Sequence, residues 1–291
     1  MLAQFIFNQL LRAKGKYSQK CFALLRLVYL KIADPIIQWN YHGQIIDMNL
    51  SHDLPFNLKQ FPSYSQNLGQ VASIIAQKYP HFSVIDVGAN VGDSAAIVQH
   101  RIQAPILCIE GNPKFLPLLD KNSKNLHDIT IEASFVGETV TKVKPVNQLG
   151  TAYLEEDVTG LAIATISSVI EKHPAFANAK LLKIDTDGFD NKIIRGAATF
   201  LRQSKASIFF EYDPFYLAKQ NENGPAIFDF LVDLGYDKWV IFDNHGRYLL
   251  TLTKHDKHLF ESLHQYYNQQ GNVYMDIWAI HESDSQLQYQ E

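Results

Sequence analysis

Apolar and polar positions along the chain fall into blocks of two periodicities. Short, largely apolar runs at 83–87, 106–110, 129–133, 181–185, 207–212, 238–243 and 273–280 read as strands, with segments of helical periodicity between most of them. Such alternation predicts an α/β fold with a parallel sheet and helices on both faces. The last two strands are separated by a long stretch, 244–271, so the final strand is expected to run antiparallel. Upstream, 65–79 has a helical pattern closed by Pro80. "IIQWNYHGQIIDMNL" (36–50) alternates on either side of His42-Gly43 and predicts a β-hairpin. No internal repeat, low-complexity tract or long linker interrupts the pattern. Three parts are expected: a helical and hairpin extension over 1–64, a catalytic domain over 65–283, and a polar tail over 284–291.

The first thirty residues are helical in pattern, but Arg12, Lys14, Lys16, Lys20 and Arg26 interrupt their apolar runs. No stretch of about 20 apolar residues remains to span a bilayer. The basic residues follow the first apolar run and no small-residue cleavage site is evident, which argues against a signal peptide. Two readings remain. The favoured one is a helical cap packed on protein or forming a homodimer; the other is an amphipathic helix lying on a membrane surface.

Composition narrows the class. With 291 residues, 46% hydrophobic and 19% charged, the chain is globular, and a net charge of -4 supplies no global basic field for nucleic acid. The two cysteines, Cys21 and Cys108, exclude a disulfide framework or a multi-cysteine zinc site and fit a reducing cytoplasm.

The candidate chemistry begins at "VIDVGANVGDSAA" (84–96), a strand, a tight turn and a helix start. A dinucleotide fingerprint would need glycine where Asn90 and Asp93 stand, which disfavours a nicotinamide-dependent oxidoreductase; no Gly-Lys-Ser/Thr follows for a P-loop. The turn suits a ligand with an ammonium, a carboxylate and a ribose but no phosphate. Amides at the helix start can hold a carboxylate, Asp86 can take an amine, and Glu110, ending "ILCIEGNP", stands where an acid accepts bonds from ribose hydroxyls. S-adenosylmethionine has these groups. A purely structural role for Gly88 and Gly92 in strand–helix packing is the alternative.

"VIDVGANVGDS", "CIEGNP", "LLKIDTDGFDNKIIRGAATFL" and "SIFFEYDP", followed by "LVDLGY" and "VYMDIWAI", resemble the FkbM family of S-adenosylmethionine-dependent methyltransferases over about residues 80–281. The resemblance implies a class I methyltransferase (Rossmann-like) fold, a mostly parallel seven-stranded sheet with an antiparallel last strand, and O-methylation of sugar or natural-product hydroxyls. It implies a cofactor set of Asp86, Gly88, Asn90, Gly92, Ser94, Glu110 and Asn112. In the fourth-strand motif the family usually carries Asp-x-Glu-Gly, whereas this chain has Asp187, one methylene shorter. A scaffold protein that keeps the fold without catalysis is the rival reading.

An alcohol acceptor needs a base or a Lewis-acidic ion. Asp185, Asp187, Glu211 and Asp213 end the fourth and fifth strands, so two mechanisms are open: Asp185 as general base, or Mg²⁺ held by Asp185, Asp187 and Glu211. The structural alternative is that Asp187-Gly188 forms a turn and Asp185 caps the next helix, with Asp187 and Asp190 favourable near its start. Lys183 shares a strand face with Asp185 and is expected to pair with a carboxylate. His255, Asp256, His258 and His264 read as a solvated helix face, not a zinc site. Phe209 and Phe210 read as core, Tyr212, Phe215 and Tyr216 as pocket candidates for a sugar, and "QNENG" (220–224) as a loop over the acceptor.

Overall fold

The computed structural model describes residues 1–148, 151–156, 161–268 and 273–289, with 141–161 described by backbone only. Two helices, Leu2–Arg12 (α1) and Lys16–Leu30 (α2), lead into a hairpin of Ile36–Tyr41 (β1) and Gln44–Asn49 (β2), then Leu54–Gln60 (α3) and Gln66–Lys78 (α4). Val84–Val87 (β3), Asp93–Arg101 (α5), Ile106–Ile109 (β4), Leu116–Ser123 (α6) and Ile129–Glu132 (β5) follow. A second sheet interrupts here: Phe135–Val136 (β6), Thr141–Gln148 (β7), Thr151–Glu156 (β8) and Leu161–Ala164 (β9), then Ile166–Lys172 (α7). The main fold resumes with Leu181–Ile184 (β10), Asp190–Gly196 (α8), Ala198–Ser204 (α9), Ser207–Tyr212 (β11), Pro214–Lys219 (α10) and Ala226–Asp233 (α11). Tyr236–Asp243 (β12), Tyr248–Thr253 (β13), Lys257–Asn268 (α12) and Met275–His281 (β14) complete it.

The main sheet has the order β13-β12-β14-β11-β10-β3-β4-β5. Strands β11, β10, β3, β4 and β5 are parallel, while β14 runs antiparallel between β11 and β12. This is the class I methyltransferase arrangement, with all seven expected strands present. The count of seven is corrected by one: β13 adds an antiparallel edge strand inside the stretch taken as a connection. Residues 269–271 of that stretch, and 290–291 of the supposed tail, lie outside the described residues. The rest of the tail is docked, with Asp284 and Leu287 buried beside α4.

Period-two alternation divides the core between the two sheet faces. Ile85, Val87, Leu107, Leu182, Ile184, Ile208 and Phe210 face one cluster; Val84, Ile106, Cys108, Leu181, Phe209, Trp278 and Ile280 face the other. On the second face, α4 lays down Leu68, Val71, Ala72 and Ile75, an i, i+3, i+4, i+7 stripe. By the same parity Asp86, Lys183, Glu211 and Asp276 all belong to that second face. They lie close to the edge at which the parallel strands end.

A third cluster joins Phe7 of α1 and Trp39, Ile46 and Met48 of the hairpin to Val91, Ala96 and Ile97 at the start of α5. Among the described residues, no helix is long and apolar enough to cross a membrane. One buried amide fastens hairpin to body. Asn122 donates through Nδ2 to Asp47 O and Val91 O, both at 2.8 Å, and its Oδ1 accepts from Asp47 N at 2.8 Å. Asn122→Ala leaves these backbone groups unpaired in the interior, a loss of about 2–4 kcal/mol given the usual cost of an orphaned buried polar group. Urea denaturation measures it; an unchanged midpoint would contradict the role.

Candidate active site

The turn after β3 is built from left-handed residues: Gly88, Asn90 and Gly92 have φ of 72°, 49° and 88°. Gly88 is required by a close approach. A Cβ there would lie 2.0 Å from the carbonyl oxygen of Asp185, so the turn and the end of β10 touch backbone to backbone. Gly88 thus has a structural role, but against the end of a neighbouring strand and not in the strand–helix packing weighed from sequence, and it positions Asp185. Glu110 closes the other side. Its carboxylate, 8% exposed, accepts from Asn90 N at 2.8 Å and Asn112 N at 2.7 Å, joining the glycine turn to the loop after β4. Burial raises its pKa, against the two amides that favour its charge.

Under the turn lies an ion pair. Lys183 Nζ sits 3.0 Å from Asp86 Oδ1 and donates to Val87 O at 3.3 Å and Gly88 O at 3.1 Å. The other Asp86 oxygen accepts from Ser94 Oγ at 2.5 Å. Burial opposes the lysine's charge, but Asp86 and then Asp185 outweigh it and its pKa is raised. One sequence expectation changes here. Asp86, 2% exposed and already held by Lys183 and Ser94, lines neither cavity described below and is not free to take an amine directly. Lys183 pairs with a carboxylate, as its place on the strand face predicts, and with Asp86 and the carbonyls of Val87 and Gly88 around its ammonium it acts as a positioning residue. Gly92 shapes the turn and lines neither cavity.

Two cavities of about 410 Å³ each open over the strand ends. The first is apolar, walled by Ile109, Phe115, Phe135, Val136, Phe189 and Ile193, with Glu110 and Asn112 on its rim. The second is polar, lined among others by Ser94, Lys183, Glu211, Tyr274 and Asp276. Gly88, Asn90, Asp185 and Asp187 line both, so the cavities meet at these four residues. Asn90 Oδ1 is buried there without a partner, an acceptor waiting for a ligand's N–H. A larger open groove of about 1040 Å³, between the hairpin and the β12–β13 turn, contains none of the sequence-predicted site residues.

The second cavity concentrates acids. The Asp185 carboxylate lies 3.8 Å from Lys183 Nζ, and its pKa is raised by desolvation, with Asp93 and Asp86 adding to the rise, despite that ammonium. Asp187, at φ 51° in the turn before Gly188, is pushed up to about 7 by burial and by Asp185 and Asp213. Glu211 stands directly across the β11–β14 ladder from Asp276, and burial beside its acidic neighbours raises it well above the carboxylate range. Asp276 reaches about 7 through burial, although Asn67 Nδ2 donates to it at 2.9 Å. Behind the wall Asp190, pushed up to about 8 by burial, accepts from Thr186 Oγ1 and Gly188 N at 3.2 Å and braces the turn; α8 has Phe189 at its N-cap and no side-chain cap, so the capping alternative weighed for Asp185 is not formed.

Among the described residues, no group of three or more His, Cys, Asp or Glu side chains is arranged to hold a metal ion. The Mg²⁺ chelate considered for Asp185, Asp187 and Glu211 therefore lacks support: Asp185 is drawn toward Lys183, and Glu211 is paired in register with Asp276. Asp213 is spent as the cap of α10, accepting from Phe215 N and Tyr216 N. Tyr212 is not a pocket residue, being fully buried with its hydroxyl 2.9 Å from His264 Nδ1. Phe215 and Tyr216 line neither cavity, and Tyr216 packs against Gly188. The 220–224 loop also lies off both cavities and is clamped by Arg195, which donates twice to Glu222 at 2.9 Å.

Sequence reasoning missed Asp276, Tyr274, Asn67, Tyr64 and His52, which complete the second cavity. Asp276 had a signal, as the acid inside the apolar run "VYMDIWAI". Because β14 is antiparallel, its amino end, not its carboxyl end, reaches the site.

The family described as the methyltransferase FkbM domain matches residues 86–238. No curated protein matches the sequence. Among solved structures, an FkbM methyltransferase from Methylobacillus flagellatus is 16% identical over 47% of this chain, with a TM-score of 0.34. The chain covers 33% of that protein's length. A precorrin-6y C5,15-methyltransferase from Geobacter metallireducens is 13% identical, covering 69% of this chain and 81% of its own, with a TM-score of 0.38. A TehB-like S-adenosylmethionine-dependent methyltransferase from Corynebacterium glutamicum is 10% identical, covering 75% and 88%, with a TM-score of 0.39.

The raised acids set a pH dependence of stability. Asp187 and Asp276 titrate at about 7 and Asp190 at about 8 in the folded chain, against 3.8 for a free aspartate, so the native state binds more protons than the unfolded one between these values. Their contribution is complete below about pH 4 and is lost as pH rises through about 7 to 8. The ligand-free protein is expected to lose thermal stability across this interval, and Asp276→Asn to flatten the decline. Melting that rises steadily toward pH 8 would contradict the electrostatics.

Proposed function

The chain belongs to the FkbM methyltransferase family, and from that premise we propose that it transfers the methyl group of S-adenosylmethionine to a hydroxyl of a small polyhydroxylated acceptor, a sugar unit of a glycan or natural product. The observation that carries this reading is the meeting of an apolar and a polar cavity at Gly88, Asn90, Asp185 and Asp187.

The residues present fit the cofactor. Glu110, already oriented by two amides, would accept from the ribose hydroxyls, and the phenylalanine-lined cavity would take the adenine. The unpartnered Asn90 Oδ1 would accept from the ammonium, and the first-turn amides of α5 would hold the carboxylate. The bound sulfonium supplies a methyl electrophile, so the protein's task is to align the acceptor, exclude water and remove one proton.

Asp185 is suited to that last step. It lines both cavities, and its raised pKa brings its basicity closer to that of a working general base than an exposed aspartate's. Lys183, 3.8 Å away, favours the ionised form and so opposes that rise. Asp187, Glu211 and Asp276 surround the acceptor space with oxygens to which hydroxyls can donate, and the hydroxyls of Tyr64 and Tyr274, 3.1 Å apart, add further partners.

Incubation with labelled S-adenosylmethionine and a panel of sugars tests the transfer. Asp185→Asn is expected to lower kcat by roughly 10²–10⁴ while keeping S-adenosylhomocysteine affinity, because proton removal matters in the transition state and not in cofactor binding. Glu110→Ala should instead weaken S-adenosylhomocysteine by about 1–3 kcal/mol in calorimetry, as expected for a lost charged hydrogen bond. Full turnover in Asp185→Asn would reject the base, and unchanged affinity in Glu110→Ala would reject the ribose contact.

A further inference from the structure

Residues 1–33 hold six of the chain's 26 Lys+Arg and none of its 30 Asp+Glu, which leaves 20 basic against 30 acidic residues for the rest. Arg26 is used internally: its guanidinium donates to Leu50 O, Ser51 O and Asp53 and lies over the Phe56 ring, fixing α2 to the body. The other five, Arg12, Lys14, Lys16, Lys20 and Lys31, form no ion pair among the described residues.

The two helices differ in how they pack. In α1 the residues Ala3, Ile6 and Phe7 are buried, so this helix is a packed cap. In α2 no residue is buried. Tyr17, Leu24 and Val28, spaced i, i+7 and i+11 on one face, are 89%, 62% and 50% exposed, with Leu25 and Leu27 beside them at 44% and 57%. Lys16, Lys20 and Lys31 border this face on one side, by the helical repeat continued one residue past α2. Ile32, 83% exposed just past α2, extends the exposed apolar surface.

We infer that this face of α2, with its rim of lysines, seats the protein on an anionic lipid bilayer. An exposed apolar stripe bordered by unpaired cations, on a chain otherwise rich in acid, is complementary to an apolar layer under a negative surface. A second copy is a poorer occupant. A two-fold contact through this face would set its three rim lysines against their copies without one acid from this segment to offset them. The seat has a consequence for the active site, because Asp53, bonded to Arg26 of α2, lines the polar cavity. Docking through α2 sets this wall of the polar cavity on the protein side of the helix, one helix diameter of about 10 Å from the bilayer surface.

Co-sedimentation of the full chain with phosphatidylcholine–phosphatidylserine vesicles, and with phosphatidylcholine vesicles alone, tests this. The chain is expected to partition onto the anionic vesicles and to be released by salt. Lys16→Glu with Lys20→Glu should weaken partition by at least about fivefold for each cation removed. Leu24→Glu with Val28→Glu should abolish it, with S-adenosylhomocysteine affinity and melting temperature unchanged in both variants. Protein remaining in the supernatant with anionic vesicles would overturn the inference, as would equal binding to neutral vesicles. So would a solution dimer that Leu24→Glu with Val28→Glu dissociates.

Discussion

The site depends on one buried ammonium. Lys183 reaches from the middle of the sheet to Asp86 on the neighbouring strand and to two carbonyls of the glycine turn, and it faces Asp185 at the end of its own strand. A buried charge pair is a poor source of net stability, since desolvation cancels much of the attraction, but removing one partner leaves the other charge stranded. Its value here is geometric. The pair locks β3 to β10 in the register that brings Gly88 onto the carbonyl of Asp185, and from that contact follow the shape of the turn and the meeting of the two cavities.

The acids around the polar cavity are arranged at the expense of stability. Asp187, Glu211 and Asp276 are raised because burial and mutual repulsion disfavour their charges, and one lysine cannot neutralise them all. Such a cluster is expected where charge is needed for chemistry instead of folding. Its neighbours are stabilised by other means. Asp190 braces the turn from behind, Asn67 donates to Asp276, and Asn122 ties the hairpin to the glycine turn, so the extension belongs to the architecture of the site.

Much of this was legible in the sequence because strands that bury both faces announce themselves as apolar runs, and because a glycine turn followed by an acid implies a defined geometry. Gly88, Asn90, Glu110, Asn112, Asp185 and Asp187 do gather round one cavity. What was not legible depends on three-dimensional context. Asp86 reads as a ligand contact until Lys183, 97 positions later, is seen to occupy it. Tyr212 reads as a pocket wall until His264 is found beside its hydroxyl. Asp276 escapes because an antiparallel strand offers the opposite end to the site. The small sheet escapes because "TKVKPVNQ" carries a proline and two lysines where a strand pattern calls for apolar alternation. The bare face of α2 carries the same residues in either orientation, and only packing shows which side was left uncovered.

We propose that the two cavities form one path whose midpoint is the site of transfer. The crystal structure of the protein with S-adenosylhomocysteine measures this directly. The adenosine is expected in the cavity walled by Phe115, Phe135 and Phe189, its ribose on Glu110, and the sulfur at the rim shared by Gly88, Asn90, Asp185 and Asp187, facing the polar cavity. A nucleoside bound in the open groove beside Trp39 and Tyr248, or a sulfur pointing away from Asp185 with the polar cavity closed off, would contradict it.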